Sequence, residues 1–563
     1  MEDNTTNNAN TGKKGFGPKS KLGKIAFNII VTLVVGAIYF YVTLPALNLQ
    51  SGDFYAFMGL LCVVYFISAL ITSGMNLGGG NIKDYFKFVK SQCLPVGILF
   101  AALLLVAVVG NVISMPILRA GAYRDLLEVK TGDFATDIAE VSFNEIPMLD
   151  GDSAMSLGDR KMGELPDLVS QFEVASAYTQ INYQGAPVRV TYLDYGDFFK
   201  WFSNRSKGLP AYITVNMVTQ KADVVRLDEG MKYSPSELFN RNLMRHLRFK
   251  FPTFLFSTPT FEIDESGHPY WVCPKMVKTI GLFGGTDIDG AVLMDAVTGE
   301  ATYYDSADVP TWVDRVYLAD LIIQQYNYHG SFINGFINSI FGQKGVTVTT
   351  EGYSYLAMND DVYMYTGVTS ISSDQSNVGF LLSNQRTKET TYYAAPGAVE
   401  QSARNSAQGM VQDLKYTATW PLLLNISGEP TYFMSLKDAN QLVKQYAMVN
   451  VGQYQIVATG NTLAECETSY LKLLASKGIT TEAVLPQTEI TGTVEEIRTA
   501  VMEGNSFYFI RLKGQDVFYS ISATAYPLVV VLNPGDRVII EHAPAVEGEV
   551  QSILSGYSIL KLL

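Results

Sequence analysis

Side chains suited to catalysis are sparse in this chain. It has four histidines, His246, His268, His329 and His542. None belongs to an HExxH helix and no serine stands in a GxSxG elbow, so neither zinc-assisted nor serine-based hydrolysis has its usual framework. His268 and Cys273 are five residues apart, which on a strand sends them to opposite faces and breaks a thiol–imidazole pair. Gly284-Gly-Thr-Asp-Ile-Asp-Gly290 is glycine-rich but lacks the lysine of a phosphate cradle, and reads as a hairpin turn. Asp150, Asp152 and Asp159 lie close together. The alternating ligands and closing glutamate of a calcium loop are absent, so Leu149–Arg160 reads as a solvated loop with no metal. Carboxylates are plentiful but no spacing pairs them. The expectation is a chain with no cofactor, no catalytic residues and no enzymatic activity.

Binding chemistry is better represented. Ser234-Pro-Ser-Glu237 has the form of a capping box with proline in the first turn, opening a helix to about Phe249. On it Arg241, Arg245 and Arg248 fall at i, i+4 and i+7, one stripe. As a binding site the stripe suits an anionic partner; as plain structure it is the solvated face of an amphipathic helix. Tyrosine is abundant, 33 residues, with aromatic pairs at Tyr270-Trp271 and Tyr303-Tyr304. Such rings hold glycans or proteins, or serve as half-buried strand residues.

The elements that carry these residues divide sharply. Residues 1–24 are polar and contain Lys13, Lys14, Lys19, Lys21 and Lys24, which reads as a disordered tail. Three apolar runs follow, Ile25–Leu47, Phe54–Thr72 and Leu94–Ser114, each long enough to span about 30 Å of hydrocarbon as a helix. A second run so soon after the first argues against a cleaved signal peptide. The loop between the second and third runs carries Lys83, Lys87 and Lys90, while Asn48–Asp53 has no positive charge. Positive flanks stay inside, so the N-terminus is expected in the cytoplasm of a multi-pass cell-membrane protein, with residues 119–563 extracytoplasmic. The runs hold no Asp, Glu, Arg or His, hence no ion path.

The whole chain has 41 Lys/Arg and 54 Asp/Glu; eight and four of these precede residue 119, leaving the exported part at a formal −17. That balance excludes nucleic acid as its main partner. Four cysteines without CxxC or Cys/His spacing exclude a disulfide framework or zinc site, and a bridge between Cys273 and Cys466 is left open.

The exported part is strand-rich and repetitive. Tyr212–Val218 alternates as a half-buried strand. Val292–Tyr304 aligns without gaps, 89 residues later, with Leu381–Tyr393, each reading strand, turn, strand and ending Thr-Tyr-Tyr. Ser266-Gly-His-Pro-Tyr270 is echoed by Ser427-Gly-Glu-Pro-Thr431. Between the hairpins, Phe332, Ile333, Phe336, Ile337, Ile340 and Phe341 form one helical face, expected to be buried in the core because no Lys or Arg interrupts it. Thr462 and Glu465 form the capping box of a further helix, Asn461–Lys477.

Asp295-Ala-Val-Thr-Gly-Glu300 resembles the D-A-x-T-G-E hairpin of PepSY domains, small α+β modules of peptidase propeptides and bacterial envelope proteins. The second copy departs from it at Asn384 and Lys388. The resemblance covers about 30 residues per copy and implies a partner-binding or peptidase-modulating module. Residues 488–545, with short β-rich runs and the turn Asn533-Pro-Gly-Asp536, resemble small OB-like barrels.

The expected order is a tail (1–24), a three-helix transmembrane anchor (25–118), an α+β region (119–255), α+β repeats (256–345 and 346–480) and a small C-terminal β-barrel (488–545). The expected role is a membrane-tethered extracytoplasmic binding or scaffold protein that touches the lipid bilayer and a protein partner in the envelope. The alternative is a cell-envelope hydrolase with a carboxylate-based active site.

Overall fold

The chain is mixed α/β. The computed structural model describes residues 18, 20–73, 89–139, 146–358, 360–371, 376–479, 488–502, 505–523, 526–542 and 553–562. Lys13, Lys14, Lys19, Lys83 and Lys87, on which the expected orientation leans, lie outside the described residues, with most of the tail. Helices α1 (Lys21–Thr43), α2 (Gly52–Ser73) and α3 (Leu94–Ile113) are long and apolar enough to cross a membrane. Helix α1 ends at Thr43 rather than Leu47, where Leu44 turns left-handed at φ 54°. Its buried Asn28 accepts from the hydroxyls of Ser68 and Thr72 on α2, at 2.8 and 3.2 Å. A polar group on an otherwise apolar helix fixes its neighbour this way. Helix α4 (Pro116–Arg124) leads from α3 into the body.

The body has a strand β1 (Val129–Gly132), a helix α5 (Gly151–Gly163) and then four sheets of one design. In the first, β4 (Ala186–Tyr195) carries β2 (Phe172–Val174) and β3 (Thr179–Tyr183) on one edge. Its other edge pairs with β5 (Leu209–Asn216), which pairs with β6 (Ala222–Met231). A short helix α6 (Phe198–Asn204) sits in the connection from β4 to β5. Helix α7 (Leu243–Lys250) precedes the second sheet, built alike from β7 (Leu255–Phe256), β8 (Thr260–Ile263), β9 (Pro269–Ile280), β10 (Gly284–Asp295) and β11 (Ala301–Asp305).

Helices α8 (Ala319–Ser331) and α9 (Gly335–Ile337) precede the third, of β12 (Thr347–Thr349), β13 (Ser354–Met358), β14 (Asp361–Ser370), β15 (Ser376–Asn384) and β16 (Thr390–Ala398), to which β1 adds in parallel. Helix α10 (Glu400–Met410) precedes the fourth, of β17 (Thr417–Ala418), β18 (Leu422–Ile426), β19 (Glu429–Lys437), β20 (Val443–Asn450) and β21 (Val457–Gly460). Helix α11 (Leu463–Ser476) closes the unit. Thr462 accepts the Glu465 N–H, and Glu465 accepts the Asn461 N–H at 3.0 Å.

Alternate residues of a strand point to opposite faces, and here both faces are covered. Trp271, Cys273, Val292 and Met294 of the second sheet pack on the first, in one core with Val190 and Ile213. Val272, Ala291 and Leu293 face the other way, against Met364, Val368 and Leu381 of the third. Tyr365, Phe380 and Leu382 then meet Leu424, Tyr432 and Phe433 of the fourth. The fourth returns to the first through the start of α5 and a turn: Lys437 pairs with Asp150, and Gln220 donates to the Tyr446 hydroxyl at 3.0 Å. Sheets stacked face to face in this cyclic order have the radial plan of a four-bladed propeller.

The two hairpins that echo each other in sequence are the same structure. Val292 pairs with Tyr303 and Leu381 with Tyr392. Asp295 accepts the Val297 and Thr298 N–H groups, and Asn384 those of Arg386 and Thr387. Gly299 and Lys388 both take positive φ, 76° and 67°. The first sheet holds a third copy, with Asn216 accepting from Val218 and Thr219 and Gln220 at φ 59°.

Four expectations are overturned. Gly284–Gly290 is no turn but the start of strand β10, paired with β9, and the turn is the stretch just before it. Gly151–Gly163 is a helix, not a loop, because Asp150 caps it at the Ser153 N–H and Ala154, Gly158 and Met162 are buried. Helix α7 begins at Leu243, not at Ser234, since Asn242 supplies its cap to the Arg245 N–H. The apolar face from Phe332 to Phe341 is no core helix: Phe332 is buried, but Ile337 and Phe341 are 74% and 84% exposed, on α9 and the wide turn Asn338–Gly342.

Beyond residue 487, β22 (Thr488–Met502), β23 (Asn505–Leu512), β24 (Phe518–Ser522), β25 (Arg537–His542) and β26 (Ile553–Leu562) form a closed ring around Val494, Ile510, Tyr519 and Val538. Its last strand lies past residue 545, where the expected unit ended; 543–545 lie outside the described residues.

Candidate functional site: an arginine latch, a polar centre and a groove

The three arginines of the stripe are brought to one region but face different acceptors. Arg248 is 6% exposed. Its Nε donates to the Leu44 carbonyl at 3.0 Å and its Nη1 to those of Phe254 and Pro252 at 2.6 and 3.3 Å. Arg245 donates from Nε to the Tyr41 carbonyl at 3.2 Å and lies over the Tyr41 ring, 4.4 Å from its centroid. Arg241 stands apart in the turn Phe239–Arg241, donating to the Arg205 carbonyl. Two of the three therefore grip the end of α1, where unsatisfied carbonyls and the negative end of the helix dipole favour a cation. Burial holds the Arg248 guanidinium below its usual value, and Asp53 opposes that. Nearby, Leu47 donates to the Pro252 carbonyl at 2.8 Å, and Ser114 after α3 accepts the Leu282 and Phe283 N–H groups at 3.0 Å. The body is thus joined to the ends of two of the apolar helices.

Deeper in the body, the innermost strands bring ionisable groups together. Glu262 on β8 is fully buried, and its carboxylate accepts the Asp314 N–H at 2.8 Å and the Thr260 hydroxyl at 3.0 Å. Asp314 in turn accepts the Asn182 N–H of β3 at 2.7 Å. Arg315 lies over the Tyr355 ring of β13, 3.9 Å from its centroid, and Gln180 of β3 donates to the Tyr355 carbonyl. Burial raises the Glu262 carboxyl to about 7 and holds Asp314 well above the carboxylate range, with the Glu262 charge adding to the latter. Such displacement marks functional carboxylates and structural ones alike. Here both acids are sealed, and each carries backbone N–H groups of another element, so the pair rivets the first and second sheets at their inner edges.

The accessible concavity lies elsewhere. A groove of about 910 Å³ runs between the first two sheets, lined among others by Tyr183, Tyr212, Asp228, Glu229, His268 and Val297. It opens among the β3–β4, β8–β9 and β10–β11 turns, the end of the sheets opposite to the β9–β10 turn held by Ser114. His268 Nε2 lies 3.2 Å from Asp295 Oδ2, at the head of the Asp-Ala-Val-Thr-Gly-Glu turn. Neither Glu262 nor Asp314 lines it. Among the described residues no cluster of three or more His, Cys, Asp or Glu could hold a metal. Cys273 and Cys466 are both buried, unbridged thiols.

Sequence reasoning missed the polar centre because Glu262 and Asp314 are 52 residues apart and meet only through the fold. It also counted two repeats where a signal for more exists: Gly185-Ala-Pro187, Gly267-His-Pro269 and Gly428-Glu-Pro430 all stand at the turn between the second and third strands of their sheets.

No family model matches the chain, and no curated protein does. Among solved structures, the exo-beta-1,3-galactanase from Phanerochaete chrysosporium with beta-1,3-galactotriose overlaps 70% of this chain and 94% of its own, at 8% identity and TM-score 0.17. A levansucrase of B. megaterium overlaps 74% and 97%, at 10% identity and TM-score 0.15. An ACO/RPE65 chimera overlaps 69% and 62%, at 7% identity and TM-score 0.13. Overlaps this weak carry no argument.

Proposed function

We propose that this chain is a membrane-tethered extracytoplasmic binding protein: α1–α3 span the cell membrane with the N-terminus inside, and the body presents the groove between its first two sheets to a protein of the envelope. The latch carries this reading. Arg245 and Arg248 each give one hydrogen bond to a carbonyl at the end of α1, which holds the body against the apolar helices. The groove is lined by tyrosines with acidic and basic groups interleaved, as in a polar surface for a peptide chain. On the PepSY-like reading of the Asp295 turn, which borders it, the partner is an envelope peptidase. The OB-like reading of the C-terminal ring adds a second binding module.

The test has two arms. With Asn10→Cys and Gln184→Cys, an impermeant thiol reagent applied to intact cells is expected to label only position 184; labelling at 10 alone reverses the topology. Asp228→Lys with Glu229→Lys is expected to abolish crosslinking to the envelope partner from a photoreactive group at Tyr183. Undiminished crosslinking moves the site away from the groove.

A further inference from the structure

The body exposes two apolar tips that its own fold leaves uncovered. One is α6, where Phe198, Phe199 and Phe202 are exposed, Phe199 at 79%. The other is α9 with the wide turn after it, where Ile337, Ile340 and Phe341 are exposed. Large aromatic and branched side chains in clusters on a soluble surface mark a contact.

Their placement says which contact. From α6, Trp201 packs on Phe239, whose carbonyl accepts from Arg245, and Arg245 grips Tyr41 near the end of α1. Phe249 on α7 lies against the rings of Phe40 and Tyr41. The first tip therefore stands beside the exit of α1. At the second, Phe336 and Phe332 pack with Tyr123 of α4, the helix that continues from α3. Both tips flank the ends of apolar helices. Exposed cations accompany them, Arg205 and Lys207 at the first and Arg119 and Lys344 at the second. Aromatic rings with flanking Lys and Arg at the level where helices leave a bilayer are the composition of the membrane interface. Two separate convex tips offer a second copy of this chain no continuous face, whereas a fluid lipid surface accepts both.

We propose that Phe198, Phe199 and Phe202, and Ile337, Ile340 and Phe341, insert into the lipid leaflet on which the body rests, seating it on the membrane at two points beyond its helical anchor. The inference rests on the reading that α1–α3 span the membrane. Insertion of this kind reaches about 5–10 Å below the headgroups, and it fixes the tilt of the body and the height of the groove.

The test uses the full chain in vesicles of phosphatidylcholine with phosphatidylglycerol. Single spin labels are placed through Phe199→Cys, Phe341→Cys, Leu105→Cys within α3 and Gln184→Cys at the groove; the native cysteines among the described residues are all buried. Collision with oxygen and with a water-soluble nickel chelate is then measured. At 199 and 341 the oxygen-to-nickel ratio is expected to rise several-fold above that at 184, approaching 105. Nickel access at 199 and 341 equal to that at 184, with 105 still lipid-like, overturns the proposal while leaving the anchor intact. Low collision with both reagents at 199 and 341 means protein cover and also overturns it. Nickel access at 105 would bring down the anchor reading itself.

Discussion

The four-sheet body meets its surroundings at two ends, and the two are built from different chemistry. At the end where α3 joins the body, the connections between the third and fourth strands of the first two sheets are apolar or basic: α6 follows β4, and Leu282 and Phe283 follow β9 and are pinned by Ser114. At the other end the turns are short, polar and self-capped, as where Asp295, Asn384 and Asn216 each close their own backbone. The sheets between them are near copies. Repetition supplied a scaffold, and departure from repetition supplied the polarity. On that contrast, changes at the first end should loosen the body from the apolar helices, while changes at the far end should be local.

The largest effect is expected at Arg248. Arg248→Ala leaves the carbonyls of Leu44 and Phe254 without this donor, each worth about 1–3 kcal/mol when stranded, while Pro252 keeps the Leu47 N–H. A loss of about 3 kcal/mol or more should appear as a lower melting temperature of the purified chain, with faster proteolysis in the 44–51 segment. Arg248→Lys should recover only part, because one ammonium cannot reproduce the planar fork. A wild-type proteolysis pattern in Arg248→Ala would show that the junction does not depend on the latch.

At the far end the sharpest local test is Gly299→Ala. Gly299 has φ 76°, and a Cβ there would sit 2.3 Å from the Tyr233 ring. The left-handed backbone costs about 1–2 kcal/mol and the overlap about 1–3, so a loss of about 2–4 kcal/mol is expected in the melt. The matched position, Lys388, already carries a side chain at φ 67°, so the glycine answers to its neighbour and not to the turn alone.

The polar centre, between the two ends, should read out through pH. Burial first, and then the Glu262 charge, hold the Asp314 carboxyl well above the carboxylate range; Asp361 raises it further and Arg315 opposes. Its folded value exceeds the unfolded one, so its contribution is fully present below about pH 4 and is lost as pH climbs toward the folded value, at about 1.4 kcal/mol per unit. Asp314→Asn removes that contribution. Melting temperatures from pH 5 to 8 should therefore fall less steeply in the variant, with Glu262 keeping its own share up to about 7. Equal slopes in variant and wild type would mean that Asp314 is already ionised in the fold.

How much of this was readable beforehand depends on distance along the chain. The apolar helices, the capping box at Thr462 and the paired hairpins are local patterns, and each survives in the structure within a few residues. The radial stack was not readable, because strands such as Pro269–Ile280 and Gly284–Asp295 are covered on both faces and so lose the alternation that marks a one-sided sheet. The third hairpin copy was hidden because Asn216-Met-Val-Thr-Gln-Lys221 keeps the capping asparagine, Val218 and Thr219 but neither the glycine nor the closing glutamate. The arginine stripe was seen, but its acceptors on α1 are about 200 residues away, and nothing in the spacing of three arginines tells a carbonyl from an anionic partner.

The smallest effect separates those two readings within the stripe. Arg241 is only partly buried and gives one hydrogen bond, to the Arg205 carbonyl. That acceptor belongs to the connection that carries α6 and is not part of α1. Replacing an exposed side chain of this kind changes stability by about 0.5 kcal/mol or less, so Arg241→Gln should melt with the wild type and keep its proteolysis pattern, in contrast to Arg248→Ala. Its charge stands near Arg205 and Lys207, beside the exposed phenylalanines. If the cations there serve an anionic surface, Arg241→Gln should weaken the salt-sensitive part of vesicle association alone, since such attraction is screened beyond about 8–10 Å at physiological ionic strength. A loss of stability comparable to that of Arg248→Ala would instead make all three arginines one structural latch, and would remove the distinction between a buried grip on the anchor and an exposed charge beside it.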